Sequence, residues 1–200
     1  GFRDDKVHFT FHGGEPLLAG YDFYKEALEK LSKLENLDGF SLQSNIWLLT
    51  EELIDLFIKY NVVVSTSIDG PKEINDYQRG EGYFDKTMTK FWLAKEKGLI
   101  INFVLTVTDY SKDFSDELYE FFKSEKMNLK IHAALPSLRG DNADPWALDQ
   151  EEHGKLLIDW LDKYLYDLDK FTVMDLDHIC KSSLRRRGTL CTFADCIGND

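Results

Sequence analysis

The sequence lacks any apolar run near the length of a membrane span. Its opening residues, GFRDDKVHF, hold no apolar core of a signal peptide, so a cytoplasmic protein is the expectation. Cysteine is scarce: Cys180, Cys191 and Cys196 crowd the far end. An odd number of cysteines at one end makes a poor disulfide framework and leaves thiols or metal ligands. Positive charge is also short, with 24 Lys and Arg against 36 Asp and Glu and a net charge of -12. Phosphate-backbone binding needs a basic face, and Arg185-Arg186-Arg187 is too small to supply one, so no nucleic-acid partner is expected. Nucleotide-cradling loops of the GxGxxG or GxxxxGK[ST] kind do not occur.

What is present is apolar and ordered. Hydrophobic residues make up 43% of the 200 and aromatics 14%, a composition for a folded globule with a sizeable core. Short β-type runs alternate with helix-period stretches. The strands are expected at 7–11, 39–43, 62–68, 100–106 and 129–133. Helices are expected at 21–34, 50–60, 84–97 and 115–126, the second capped by Thr50 and the third ended by Gly98. NVVVSTSI and LIINFVLTV are apolar almost throughout, which predicts a parallel sheet covered on both faces. From Asp149 the alternation stops and a long helical stretch follows.

In such α/β folds functional groups gather at the C-terminal ends of the strands. Here those ends read His12-Gly13-Gly14-Glu15-Pro16, Gln43-Ser44-Asn45, Ser67-Ile68-Asp69-Gly70-Pro71, Thr106 to Asp109, and His132. Asn, Asp, Gly, Ser and Pro also dominate ordinary turns. His12, Gln43 and Ser67 are not obligatory turn formers, and they tilt the set towards a lined pocket. Two successive glycines let another group approach the backbone closely.

FTFHGGEPLLAG, SLQSN and VSTSIDGPKEINDYQR together resemble the radical S-adenosylmethionine enzymes. More narrowly, they are similar to the peptide- and protein-modifying branch with a cysteine-rich SPASM domain, which includes the anaerobic sulfatase-maturating enzymes. The resemblance implies an α/β fold: a partial (β/α)6 TIM-like barrel with a parallel sheet, truncated here to strands two to six. It implies a barrel portion at 1–148, a closing helix or linker at 149–188, and the start of a truncated SPASM domain at 189–200. The family's CxxxCxxC loop, which holds a 4Fe–4S cluster, is not in this sequence. The chain is therefore expected to be a fragment of a longer enzyme and inactive alone.

Site residues follow from the same resemblance. Gly13, Gly14 and Glu15 would cradle the amino group of S-adenosylmethionine, an ammonium that needs acceptors. His12 would bond the cofactor from the pocket floor. Ser67 and Asp69 match the strand that reaches the ribose. Arg79, placed in the loop after Pro71, matches the arginine that meets the carboxylate. Asn45 matches the asparagine of the family's QTNG pattern, although Ile46 stands where that pattern has glycine. The strand at Lys130 to His132 would meet adenine. Cys191 and Cys196 match the first ligands of an auxiliary iron–sulfur cluster. The implied activity is hydrogen abstraction from a residue of a peptide or protein substrate by a 5′-deoxyadenosyl radical, with ferredoxin or flavodoxin as electron donor. The alternatives are a sulfatase-specific, formylglycine-generating maturase and a barrel-like binding module without redox chemistry. No catalytic acid or base is assigned.

Overall fold

The computed structural model describes residues 5–136 and 144–185. Cys191 and Cys196 lie outside them, as does the whole of the expected 189–200 segment. The strands are β1 (Val7–Phe11), β2 (Leu37–Gln43), β3 (Val62–Ser67), β4 (Ile101–Val107) and β5 (Leu129–Ala133), ordered β1-β2-β3-β4-β5 in one five-stranded sheet. The helices are α1 (Gly20–Leu31), α2 (Glu51–Lys59), α3 (Lys72–Arg79), α4 (Tyr83–Lys97), α5 (Ser115–Ser124), α6 (Gln150–Tyr164) and α7 (Met174–Arg185). Sequential strands lie side by side with helices between them, so this is a parallel α/β sheet of the partial TIM-barrel kind. The chain divides into two compact units, 1–68 with 72–103, and 69–71 with 104–200.

In the first unit β1 pairs parallel with β2, and β2 with β3, in registers that set Thr10 beside Ser41 and Gln43 beside Ser65. One side of these strands is apolar. Phe40, Leu42, Val62 and Val64 are buried there, together with Tyr24 and Leu28 of α1 and Leu53, Ile54 and Phe57 of α2. Each such side chain contributes roughly 1.5–3 kcal/mol when fully buried. Tyr24 joins the helices by meeting Phe57 edge to face at 5.3 Å. α2 starts as its sequence predicts: Thr50 Oγ accepts from Leu53 N–H at 3.3 Å, and Glu51 and Glu52 sit in the first turn.

The expectation of two covered faces does not hold. Burial alternates along β3, and Val63 is 46% exposed between the buried Val62 and Val64. The apolar run thus hides a period-two pattern. The less buried face of this unit carries Thr10, Ser41, Gln43, Ser65 and Ser67. Across it Thr10 and Ser41 hydroxyls bond at 2.8 Å, and Gln43 Nε2 donates to Ser67 Oγ at 3.5 Å.

The second unit joins α5, α6 and Phe171 by aromatic contacts. Tyr119 and Trp160 meet at 5.2 Å, and Tyr164 and Phe171 at 5.9 Å. Trp160 donates its indole N–H to Ser115 Oγ at 2.9 Å, and Tyr119 OH reaches the Asp167 carboxylate at 3.0 Å. Beside β5 the chain supplies substitutes for another strand. Leu129 N–H donates to Thr172 C=O at 2.8 Å, and Ile131 N–H donates to the Asp175 carboxylate at 2.7 Å. From Gln150 the described chain holds two further helices, α6 and α7.

Candidate cofactor site

β1 ends where Gly13 and Gly14 take φ of 96° and 40°, the left-handed region that glycine enters without cost. A Cβ built at either position meets nothing within 4 Å, so there is open space against this turn. His12 is exposed, and its Nδ1 accepts from Gly13 N–H at 2.6 Å. With Nδ1 accepting that bond, the donor position of the ring is Nε2.

Glu15 fastens the turn. Its Oε1 accepts from Leu17 N–H at 2.9 Å, capping the 3-10 turn at Pro16–Ala19, and from the Ser44 hydroxyl at 2.7 Å. Its Oε2 accepts from Asn45 N–H at 3.0 Å. The carboxylate therefore clamps the end of β1 to the end of β2. Two lone pairs per oxygen leave one acceptor direction on Oε2.

The QSNI segment shows how the missing glycine is tolerated. Ile46 holds φ at 58° and is 0% exposed. A β-branched residue is a genuine outlier there. Three contacts hold it: Ile46 N–H donates to Ser44 Oγ at 2.8 Å, Trp47 N–H to Asn45 Oδ1 at 3.0 Å, and Leu49 N–H to Ile46 C=O at 3.0 Å. The turn that the family pattern builds with glycine is kept here by burial and hydrogen bonds. The Asn45 side chain is itself partly used in that turn.

Arg79 is not in a loop. It is the last residue of α3, which the sequence reading missed because Gly70-Pro71 upstream and Gly80 and Gly82 downstream read as one long turn. The turn after it is fixed by Asp76, whose carboxylate accepts from Gly82 N–H at 3.0 Å and Phe84 N–H at 2.8 Å. The Arg79 guanidinium lies over the Tyr83 ring at 5.4 Å. Ser67, at the end of β3, belongs to the same unit as these groups. Asp69 is buried in the second unit, where its carboxylate accepts from Thr106 N–H at 2.9 Å. Ser44, Trp47, Asp76 and Tyr83 were not singled out in the sequence. Their neighbours Asn45 and Arg79 were the available signal.

His132 lines a separate cavity of about 510 Å³ in the second unit, with His153, Lys130, Asp175 and the aliphatic Leu148 and Leu157. Burial, then the Lys130 charge, lowers the His132 pKa against the pull of Asp175. His153 is lowered by burial and by His132, again against Asp175. Among the described residues no group of three or more His, Cys, Asp or Glu could hold a metal ion.

The family model described as the Radical SAM superfamily matches residues 1–122. The chain belongs to the radical SAM superfamily. It is 47% identical over 191 residues to an uncharacterized protein of Methanothermobacter thermautotrophicus, covering 94% of this chain and 72% of that protein. It is 28% identical to a serine-type anaerobic sulfatase-maturating enzyme of Bacteroides thetaiotaomicron, covering 97% of this chain and 52% of that enzyme. A solved structure of native anSMEcpe with bound AdoMet and Kp18Cys peptide superposes with a TM-score of 0.81 at 25% identity, covering 94% of this chain and 55% of that one. The chain thus spans about half the length of the sulfatase-maturating relatives. The radical SAM cofactors are S-adenosylmethionine and an iron–sulfur cluster. The open double-glycine turn, the spare Glu15 acceptor and the Arg79 fork suit the amino and carboxylate groups of the former. No described residues form a set for the latter.

Proposed function

We propose that this chain forms the S-adenosylmethionine pocket of a maturase that modifies a residue of a peptide or protein substrate. The observation that carries this reading is the turn at Gly13-Gly14-Glu15, with empty space at both glycines and its carboxylate tied to the next strand end. Gly13 and Gly14 carbonyls with Glu15 Oε2 receive the ammonium. Arg79 receives the carboxylate, Ser67 the ribose, and His12 Nε2–H donates into the same space. Asp69 follows the strand of Ser67 in the sequence and holds β4 through Thr106. When bound, the cofactor would supply the chemistry of hydrogen-atom abstraction from the substrate. Cys191 and Cys196 belong to an auxiliary cluster. A low-potential donor such as ferredoxin or flavodoxin supplies the electron.

The likeness to a serine-type sulfatase-maturating enzyme and to a structure holding a Cys peptide favours oxidation of Ser or Cys to formylglycine as the finer reading. The test is calorimetric titration of S-adenosylmethionine into the cluster-loaded protein. Arg79→Lys keeps the charge and loses the planar fork. It should weaken binding by roughly 1–3 kcal/mol, the range for a hydrogen bond to a charged group. Gly14→Val should weaken it further by filling the open space. Wild-type affinity in both variants would move the site elsewhere.

A further inference from the structure

The cavity of the second unit has no part in the cofactor reading. Its volume of about 510 Å³ lies within the range of small-molecule pockets. Lys130 and His132 come to it from β5, Gln150 and His153 from α6, and Asp175 from the start of α7. Ile131, Leu148 and Leu157 give it an aliphatic wall. An apolar lining with a few convergent polar groups is the usual form of a ligand site.

The polar groups are short of partners. Among the described residues the Lys130 ammonium has no hydrogen bond and no ion pair. His153 Nε2 is buried and has no partner either. Buried polar atoms nearly always have one, so this ring borders a place where the fold leaves hydrogen bonding incomplete. Asp175 differs: its carboxylate already accepts from Ile131 N–H at 2.7 Å.

The charges select the ligand. Burial lowers the pKa of both imidazoles, helped by Lys130 at His132 and by His132 at His153, against the pull of Asp175. Both rings are therefore neutral at about pH 7, and Lys130 is the one cation among the lining residues. A single negative charge would pair it. A second would face the Asp175 carboxylate with nothing to balance it, so a dianion such as phosphate is disfavoured. The aliphatic wall asks for an apolar body, which a small inorganic anion lacks.

We propose that this cavity is a further ligand site, which takes a monocarboxylate with an aliphatic body. The carboxylate meets Lys130, and the body lies against Leu148 and Leu157. Two sources carry that chemistry: a free aliphatic acid, and the C-terminus of a peptide that ends in aliphatic residues. The site does not depend on the cofactor pocket proposed above.

The experiment is calorimetric titration of the cluster-loaded protein with octanoate, octanamide, acetate and acetyl-Leu-Leu. Octanamide has the chain without the charge, and acetate has the charge without the chain. Octanoate should bind at least about tenfold more tightly than either, the scale of one charge-assisted hydrogen bond or of a few buried methylenes. Lys130→Met keeps the apolar stem and loses the ammonium; it should weaken octanoate about tenfold at an unchanged melting temperature. If that variant fails to fold, the contrast among the ligands on the wild type decides. Tighter binding of octanoate than of acetyl-Leu-Leu would make the ligand a free acid, and the reverse a peptide end; both support the site. Four results would overturn it: no binding of either carboxylate, equal binding of octanamide, equal binding of acetate, or wild-type octanoate affinity in Lys130→Met. Displacement of octanoate by S-adenosylmethionine would overturn it too, since the cavity would then belong to the cofactor. The Arg79→Lys titration judges the cofactor pocket separately.

Discussion

Ile46 shows how a single side chain can hold a turn that its own backbone preference opposes. Left-handed geometry costs an L-residue roughly 1–2 kcal/mol. Exchanging Ile46 for Gly relieves that cost but empties a site where the side chain is 0% exposed. Deleting a buried Ile side chain costs about 2–5 kcal/mol. The second effect is larger, so Ile46→Gly should lower stability by about 1–3 kcal/mol, even though glycine is the residue of the family pattern. Chemical denaturation with an unchanged slope would measure it, and a gain in stability would show that strain dominates. The Ile itself was visible in the sequence as a departure from QTNG. Its left-handed backbone was not, because the Ser44 hydroxyl bond and the burial that impose it oppose the backbone preference of Ile itself.

The α3–α4 turn is an element organised by one carboxylate. Burial by itself would raise the Asp76 pKa; hydrogen bonds from Phe84 N–H, the Asn75 amide and Gly82 N–H, with the Lys72 charge, outweigh it and hold the group below its ordinary value. A carboxyl lowered by folding stabilises the fold fully above its unfolded pKa of about 4, and that contribution fades as pH falls through the lower folded value. The stability gap between wild type and Asp76→Asn should therefore be constant near neutral pH and close only below about pH 4. Thermal melts across pH would check this; a gap that closes near pH 6 would assign the effect to histidine. At this scale the sequence was a good guide where signals are local. β1 and β5 fall on the expected residues, Thr50 caps α2, and Gly98 ends α4 with φ of 87°. It misled where tertiary contacts decide. α3 was hidden between glycine-rich turns, and helix α1 ends at Leu31, three residues before the apolar stripe does.

For the whole molecule, the candidate residues read at the strand ends can be placed by unit. His12, Gly13, Gly14, Glu15, Asn45, Ser67 and Arg79 all fall in the first unit. What the sequence could not show is how much of this set serves the protein itself. Glu15 spends three acceptor positions on Leu17, Ser44 and Asn45. Asp69 is committed to Thr106. Such hydrogen bonds depend on which loops fold against each other, and no spacing in a linear chain records that. Among the described residues no helix is long and apolar enough to cross a membrane.

The contact between Asp175 and β5 has a consequence for how copies of this protein behave in concentrated solution. A border strand offers a ladder of amides to any extended chain that passes, its own copies included. Asp175 fills one rung by accepting from Ile131 N–H, and Thr172 fills the rung before it through Leu129 N–H. A carboxylate is a stopper of a particular kind: it satisfies the amide yet presents charge, not another amide, to the next arrival. Asp175→Ala should unblock that rung and allow one molecule to zip onto another. Light scattering should then rise with protein concentration in the variant and stay flat in the wild type. A variant that remains monomeric at high concentration would show that the Thr172 rung alone suffices to end the sheet.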